Sequence, residues 1–424
     1  MSEIGYGRQR QADIYAAGVR GRKPRVPQNA AALERAARHA MSTEGFAYIA
    51  GGAGLETTMS ANRAAFERVR IVPRTLRGPA MRKLEVQLFG RTLSAPLLLA
   101  PIGVLEMAHR DGDVAVARAA AVEGVPMIFS SQASRPMEEC ASAMGDAPRW
   151  FQLYMSTSNG LVKSFVSRAE RCGCEAIVVT LDTTMLGWRL RDLDLGYLPF
   201  LAGKGIAQYV SDPVFQQLVD SAPPPEGGRL TPAGARALWR LSRAYPGSTW
   251  ANLRSPRPRQ AVRTFLDVFA RPSLKWEDLA LVREVTKLPL LLKGILHPDD
   301  ARRALDQGVD GIVVSNHGGR QVDGAIATLD ALPKVLDAVP NDFPVLLDSG
   351  VRTGADAFKA LALGARAVLL GRPYVWGLAV GGADGVRHVL RSFLAELDLT
   401  LALAGYTNVR DVGPKSLERV ERLR

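Results

Sequence analysis

Eight short apolar segments recur along this chain of 424 residues, each ending in a polar residue, a glycine or a proline. Ala-rich segments of helical periodicity, such as 112–122 and 298–307, separate most of them. Strands buried in parallel sheets read as continuous apolar runs, so the alternation predicts an α/β fold of parallel strands joined by helices. Eight units favour a closed (β/α)8 TIM barrel. The segments are 96–101, 126–131, 150–154, 176–182, 289–293, 311–315, 344–348 and 367–371.

The barrel interpretation makes residues 1–424 one domain with additions. Residues 91–182 and 288–404 are predicted to form the barrel, 1–90 a helical N-terminal extension, and 405–424 a C-terminal tail. A long insertion after strand four, 183–287, is predicted to be a lid, because active sites of such barrels lie where the strands end. Its proline-rich stretch, 223–228, is predicted to be mobile.

A second interpretation of the insertion is a peripheral contact with a membrane. It rests on apolar and basic residues that lie close in sequence, although no amphipathic helix joins the two sets. The apolar set is Leu198, Pro199, Phe200, Leu201, Val214 and Phe215, and the basic set is Arg240, Arg243, Arg254, Arg257 and Arg259.

Composition narrows the functional class. No apolar run is long enough for a membrane span and the N-terminus lacks the apolar core of a signal peptide, so a cytoplasmic protein is expected. The net charge of +12 comes from scattered arginines without a nucleic-acid motif, so no nucleic-acid partner is expected. Cys140, Cys172 and Cys174 have neither a disulfide framework nor metal-ligand spacing, and no metal is expected.

The segment Ser-Asn-His-Gly-Gly-Arg-Gln, 315–321, follows the sixth predicted strand. His317 titrates near neutrality and can therefore take a proton from a substrate, while Arg320 offers a planar guanidinium that matches a carboxylate. A lone histidine in a glycine-rich turn is more often structural. Other strand-end residues, however, are expected at the same mouth. These are Tyr154, Asp182, Lys293 and Asp348.

Two glycine–arginine turns, 348–354 and 371–373, follow the seventh and eighth predicted strands. Glycine lets backbone N–H groups approach an anion, and barrels commonly bind phosphate at this position, so a phosphate site is predicted. Lys293 at the end of the fifth strand offers two chemistries. Its ammonium can stabilise a developing negative charge, or its amine can form the Schiff base of an aldolase.

Together these motifs resemble those of the FMN-dependent α-hydroxy acid oxidases and dehydrogenases, over about 45–409. The 315–321 segment is highly specific for that family. Within it, the chain is most similar to lactate 2-monooxygenase, on the segments 50–54, 100–104, 187–189, 212–215 and 297–303. The resemblance implies FMN as cofactor, a small L-2-hydroxy acid and O2 as substrates, and a homotetramer or octamer.

The resemblance also implies roles for matching residues. The catalytic residues would be His317 as the base for the α-hydroxyl proton, Asp182 as its orienting carboxylate, and Tyr154. The carboxylate would be bound by Tyr48, Arg189 and Arg320. The residues that would hold FMN are Pro101, Ile102, Gly103, Ser130, Gln152, Thr180, Lys293, Ser315, Asp348, Ser349, Gly350, Arg352, Gly371 and Arg372.

The fate of the product is predicted from Gly103, where oxidases of this family more often carry Ala. A missing methyl group would fit slow release, so the retained 2-oxo acid would be oxidatively decarboxylated. Gln132 stands where relatives carry an apolar or aromatic pocket residue, and a polar residue there fits a functionalised substrate side chain. The alternatives are an oxidase that releases hydrogen peroxide, a dehydrogenase with another electron acceptor, and a non-oxidising FMN isomerase.

Overall fold

The computed structural model describes residues 5–223 and 231–420. Eight parallel strands close into a barrel in which each strand pairs with its neighbours in the sequence and the last pairs with the first. The predicted TIM barrel is therefore confirmed. The strands are β1 (Leu97–Leu99), β2 (Met127–Phe129), β3 (Arg149–Leu153), β4 (Ile177–Thr180), β5 (Leu290–Ile295), β6 (Gly311–Val314), β7 (Val345–Leu347) and β8 (Ala367–Leu370).

Helices cover the outside of the barrel, so its strands are buried on both faces. Strand β5 continues beyond Lys293 to Ile295 through a register shift, so this lysine is not the final strand residue as predicted. The helices that follow the eight strands are Gly112–Glu123, Met137–Met144, Asn159–Arg171, Ala280–Arg283, Pro298–Asp306, Thr328–Leu336, Gly354–Ala362 and Arg372–Leu403.

Residues 5–90 of the N-terminal segment form four helices, Tyr6–Val19, Ala30–Ala40, Thr43–Ala50 and Thr57–Glu67. The first two pack against the long Arg372–Leu403 helix. The fourth starts at the barrel mouth, where the Asp323 carboxylate accepts hydrogen bonds of 2.7 Å from the Leu55 N–H and the Thr57 hydroxyl. Two short antiparallel pairs lie outside the barrel, Val69–Ile71 with Leu417–Arg419 and Val86–Leu88 with Arg91–Leu93.

The insertion after β4 folds into helices around an aromatic core. Tyr209 and Phe265 pack edge to face with ring centroids 4.8 Å apart, and both are fully buried. Phe200 and Phe215 are also fully buried, so the membrane-contact interpretation loses most of its apolar surface. The helices are Leu190–Asp194, Ala207–Val210, Pro213–Ser221, Pro232–Ala244, Thr249–Arg254 and Arg257–Val268, with 3-10 turns at Pro199–Ala202 and Trp276–Leu279.

Residues 224–228 of the proline-rich stretch, predicted to be mobile, lie outside the described residues. Within 5–223 and 231–420, no helix combines the length and the apolar character needed to cross a bilayer.

Candidate active site

The carboxyl ends of the barrel strands open into one cavity, and most predicted site residues line it. Those lining it are Tyr48, Pro101, Ile102, Gly103, Tyr154, Arg189, Lys293, His317, Arg320, Asp348, Ser349, Gly350, Arg352, Gly371 and Arg372. Asp182 and Ser315 stand behind this lining, in contact with His317 and Lys293. The remaining three are buried at or next to the ends of β2, β3 and β4: Ser130, Gln152 and Thr180.

His317 and Asp182 form a short pair at the cavity wall. His317 Nδ1 lies 2.6 Å from Asp182 Oδ1, and the Thr183 hydroxyl donates to the same carboxylate oxygen at 3.0 Å. Because the carboxylate engages Nδ1, that nitrogen carries the proton and Nε2 is left as an acceptor. His317 has a φ of 56°, in the left-handed region that is strained for a non-glycine residue and that recurs at functional sites.

Serine and asparagine side chains hold the His317 turn in place. Ser315 Oγ accepts the His317 N–H at 3.1 Å, and Ser349 Oγ accepts the following N–H at 2.9 Å. Behind the turn, the buried Asn62 and Asn316 exchange two amide hydrogen bonds of 2.9 and 2.8 Å. Asn62 lies in the N-terminal segment, so that segment fastens the turn. Sequence reasoning missed Thr183 and Asn62, since no motif marks either residue.

Local charges set the protonation of this pair. Burial lowers the pKa of His317; Asp182 opposes the shift and the charge of Lys293 adds to it. Burial would raise the pKa of Asp182, but His317 and Lys293 outweigh it and hold that pKa well below its usual range. At neutral pH the site therefore holds an uncharged imidazole beside an ionised carboxylate, which is the state that a general base requires.

The Lys293 ammonium is enclosed by two carboxylates and a hydroxyl. Its Nζ lies 3.6 Å from Asp182 Oδ2, 3.4 Å from Asp348 Oδ2 and 2.9 Å from Ser315 Oγ. Burial lowers the pKa of Lys293, but the two aspartates outweigh burial and raise it above its ordinary value. A Schiff-base lysine needs a lowered pKa, so this geometry argues against the aldolase alternative and favours a fixed positive charge.

Two guanidinium groups, those of Arg189 and Arg320, lie over the ring of Tyr48, with their central carbons 6.0 and 5.1 Å from its centroid. Arg320 Nη1 donates to the Tyr48 carbonyl at 2.6 Å and to that of Gly51 at 2.7 Å. Arg189 Nη2 donates to Gln321 Oε1 at 3.0 Å. Within the described residues the Nε and Nη2 donors of Arg320 have no acceptor, so they are available to a carboxylate. Burial and the charge of Arg189 lower the pKa of Arg320, and an anion would relieve both.

The two arginines of the predicted phosphate site behave differently. Among the described residues, the Arg352 side chain donates one hydrogen bond, of 3.0 Å, to the Val351 carbonyl, which leaves guanidinium donors for an anion. Burial, together with the charge of Arg63, lowers the pKa of Arg352. The Arg372 side chain instead donates, at 2.9 to 3.0 Å, to three backbone carbonyls, those of Ile49, Gly51 and Gly318. It therefore ties the N-terminal segment to the His317 turn, a contact that sequence reasoning missed.

Two buried polar atoms near the ends of β3 and β4, Gln152 Nε2 and Thr180 Oγ1, have no hydrogen-bond partner among the described residues. Such groups are costly unless a ligand pairs with them. Thr180 is the strand-pairing partner of Lys293, and the two unpaired groups suit the pyrimidine edge of a flavin, which carries both donors and acceptors. Arg352 would supply a cation for the phosphate. These residues therefore fit FMN.

Gly103 lies directly against Gln132. A Cβ at position 103 would stand 2.8 Å from Gln132 Cβ and 2.9 Å from its carbonyl oxygen, too close for two packed atoms. Packing alone therefore requires this glycine. The prediction of slow product release consequently loses the support that the missing methyl group gave it.

Comparison with known proteins identifies the family. Residues 37–419 match the family model described as FMN-dependent dehydrogenase. The FMN-dependent alpha-hydroxy acid dehydrogenase qulF of Penicillium citrinum is 41% identical over 421 residues, 99% of this chain and 98% of the relative. The L-lactate oxidase of Lysinibacillus sphaericus is 42% identical over 377 residues, 89% of each chain. A crystal structure of a mandelate oxidase covers 92% of this chain and 98% of its own, with 37% identity and a TM-score of 0.73. The chain thus belongs to the FMN-dependent dehydrogenase family of oxidoreductases, and FMN is its cofactor.

Proposed function

We propose that this protein oxidises a small L-2-hydroxy acid to the corresponding 2-oxo acid. The observation that supports this most is the pairing of His317 with Asp182 at 2.6 Å, in a cavity that also presents two guanidinium groups. A 2-hydroxy acid carries its hydroxyl and its carboxylate on adjacent carbons, so a base and a carboxylate site must lie side by side. The names of the relatives, L-lactate oxidase and mandelate oxidase, support the same substrate class.

His317 performs the proton transfer in this proposal. Its Nε2 accepts the proton of the α-hydroxyl, and Asp182 stabilises the imidazolium that forms. Burial, followed by the charge of Asp182, raises the pKa of Tyr154 to about 12. Tyr154 therefore keeps its proton at neutral pH and donates a hydrogen bond to the reacting oxygen.

The remaining residues bind and orient. Arg189, Arg320 and Tyr48 bind the C1 carboxylate and so fix the position of the α-carbon. When bound, FMN supplies the two-electron acceptor for the hydrogen that leaves this carbon. Lys293 contributes a fixed positive charge close to the orphaned flavin-binding groups. A non-oxidising isomerase would need no carboxylate site beside a base, so this arrangement disfavours that alternative.

An anaerobic titration tests the proposed reaction. The purified holoprotein should show the absorbance of an oxidised flavin, and L-lactate or another small L-2-hydroxy acid should bleach it without oxygen. The D-enantiomer and a simple alcohol of the same size serve as controls and should leave it unchanged. A flavin that stays oxidised with every L-2-hydroxy acid tested would contradict the proposal.

The product balance is a separate question. Decarboxylation of a retained 2-oxo acid by hydrogen peroxide, which yields a shorter acid, carbon dioxide and water, stays a prediction. The L-lactate oxidase relative favours release of the 2-oxo acid and peroxide instead. Measuring peroxide and carbon dioxide per O2 consumed distinguishes these two outcomes. Turnover with an artificial electron acceptor but without oxygen uptake would identify a dehydrogenase.

Replacing Thr183 by Val should slow anaerobic flavin reduction about tenfold, because the hydrogen bond of 3.0 Å to Asp182 is lost. Asp182, left with one donor fewer, would attract the imidazolium more strongly. The acid limb of the pH profile should therefore move to higher pH, while 2-oxo acid affinity changes little. Thr183→Ser keeps the hydroxyl and should restore both readouts. An unchanged pH profile in the Val variant would show that Thr183 has no part in positioning the pair.

The homotetramer or octamer and the role of 183–287 as a lid stay predictions. Light scattering on the holoprotein distinguishes four copies of the 45.8 kDa chain from eight.

A further inference from the structure

Gln132 brings a second polar group to the substrate cavity. It follows β2, lines the cavity and is only 6% exposed. Its amide nitrogen is fully buried without a hydrogen-bond partner among the described residues. The general base, the carboxylate site and the flavin-binding groups account for the other polar residues of this cavity. None of those roles uses Gln132.

The backbone of Gln132 is held from several sides, so its Cβ has a fixed position beside the cavity. Its N–H donates to Ser130 Oγ at 3.1 Å, and its carbonyl accepts the Val104 N–H at 2.8 Å. Gly103 packs against its Cβ, and a Cβ at Gly205 of the insertion would stand 3.1 Å from its carbonyl oxygen. Two glycines therefore allow the chain to enclose Gln132 closely. The amide is preorganised at the cavity wall.

Burying an amide without a hydrogen-bond partner destabilises the folded protein, and a leucine or methionine would fill the same space without that penalty. The amide therefore gains its hydrogen bond when a ligand enters. It is uncharged, and the cationic side chains of the cavity are assigned to the substrate carboxylate, the phosphate and the flavin ring. A neutral polar group of the ligand is the partner that matches this position.

We infer that Gln132 selects L-2-hydroxy acids whose side chain carries a neutral hydrogen-bonding group, such as a hydroxyl, a carbonyl or an amide, over plain alkyl or aryl acids. This inference rests on the proposed function, because it concerns the side chain of the substrate of that reaction. Sites built to hydrogen-bond a substrate group discriminate against analogues that lack it, because the buried protein group is then left unpaired.

Two pairs of acids that differ only by a hydroxyl in place of a methyl group test this selection. They are L-glycerate with L-2-hydroxybutanoate, and L-2,4-dihydroxybutanoate with L-2-hydroxypentanoate. The quantity to compare is the limiting rate of anaerobic flavin reduction divided by the dissociation constant of the acid. For at least one pair, this quotient should be about tenfold or more higher for the hydroxylated acid than for its partner. Gln132→Leu should abolish or reverse this ratio. Leu186→Met, a change at an apolar lining residue, should leave the ratio unchanged.

Equilibrium binding gives a second readout that does not depend on turnover. The 2-oxo acids of the same pairs, titrated calorimetrically into the holoprotein, should show the same preference in the wild type and lose it in Gln132→Leu. Should that variant fold poorly, Gln132→Met provides a second apolar replacement of similar length.

Equal reduction by both members of both pairs would overturn the inference while leaving the proposed oxidation intact. A Gln132→Leu protein that loses FMN affinity but keeps the ratio would assign the amide to the cofactor and also overturn it. Failure of every acid to reduce the flavin would instead remove the proposed function.

Discussion

His317→Gln is expected to slow anaerobic flavin reduction by about 10² to 10⁴, the usual contribution of a positioned general base. Glutamine has no basic nitrogen, so the α-hydroxyl proton has no acceptor even though the carboxylate site is intact. Bound flavin should remain, because the orphaned groups of Gln152 and Thr180 and the Arg352 guanidinium are unaffected. Stopped-flow reduction and the flavin absorbance of the purified variant measure the two effects separately.

The same reasoning gives a pH dependence for the wild type. His317 must be uncharged to accept a proton, and burial lowers its pKa below the ordinary 6.5. The reduction rate at low substrate should therefore be constant near neutrality and fall with acidification through a pKa below 6.5. His39→Gln, at an exposed helix end outside the cavity, is the matched control and should retain the full rate. Reduction of the His317→Gln variant at a rate within tenfold of the wild type would mean that another group takes the proton.

Lys293→Met is expected to destabilise the protein by about 3 to 5 kcal/mol at neutral pH, the usual effect of removing one partner of a buried ion pair. Methionine has a similar length, so little volume is lost. The Asp182 and Asp348 carboxylates, each within 3.6 Å of the missing ammonium, would stay buried without their counter-charge. Urea unfolding in excess FMN and the flavin content of the purified variant measure the loss.

The pH dependence of this destabilisation has a definite sign. In the wild type the pKa of Asp182 is lowered, so its stabilising contribution is present above the unfolded pKa of about 3.9 and lost below it. In the variant the buried carboxylates would have raised pKa values and would regain stability by taking up protons as the pH falls. The difference between the two proteins should therefore shrink from pH 7 toward pH 4. Lys163→Met breaks an exposed pair with Glu284 and should cost no more than about 1 kcal/mol. Equal effects of the two lysine substitutions would contradict the assigned role of Lys293.

Much of the barrel could be predicted because its signals are local. Each of the eight predicted segments overlaps one barrel strand, and six contain the whole strand, since a strand buried on both faces must be apolar along its length. The strand-end rule then placed Asp182, Lys293 and His317 at one mouth, and the 315–321 motif singled out His317 as the proposed base. The end of β5 was predicted too early. A register shift at Gly294, which has a φ of 110°, lets strand pairing resume at Ile295, beyond the polar Lys293.

Other parts of the site could not be predicted, because they depend on where side chains point. Arg372 is next to a glycine after β8, as phosphate-binding residues often are, but no motif indicated the hydrogen bonds from its guanidinium to carbonyls of the N-terminal segment. Its contact with the phosphate stays a prediction. Gly103 suggested that the cavity lacks a methyl group there. In the structure, the Cβ and the carbonyl oxygen of Gln132 occupy the space that this methyl group would need. The apolar residues of the insertion, together with its arginines, suggested a membrane surface, whereas Phe200 and Phe215 of that set pack against the buried Phe265 and Tyr209.

The sequence by itself determined the barrel, the acid–base motif and the family, because strand periodicity and short motifs are written in consecutive residues. Only the tertiary structure showed that two carboxylates enclose the Lys293 ammonium, which favours a fixed charge over a nucleophile, and that Gln132 presents an unpaired amide to the cavity. Both follow from contacts between residues far apart in the chain. The state of a buried polar group is set by its partners and its distance from water, and neither quantity is encoded in local sequence.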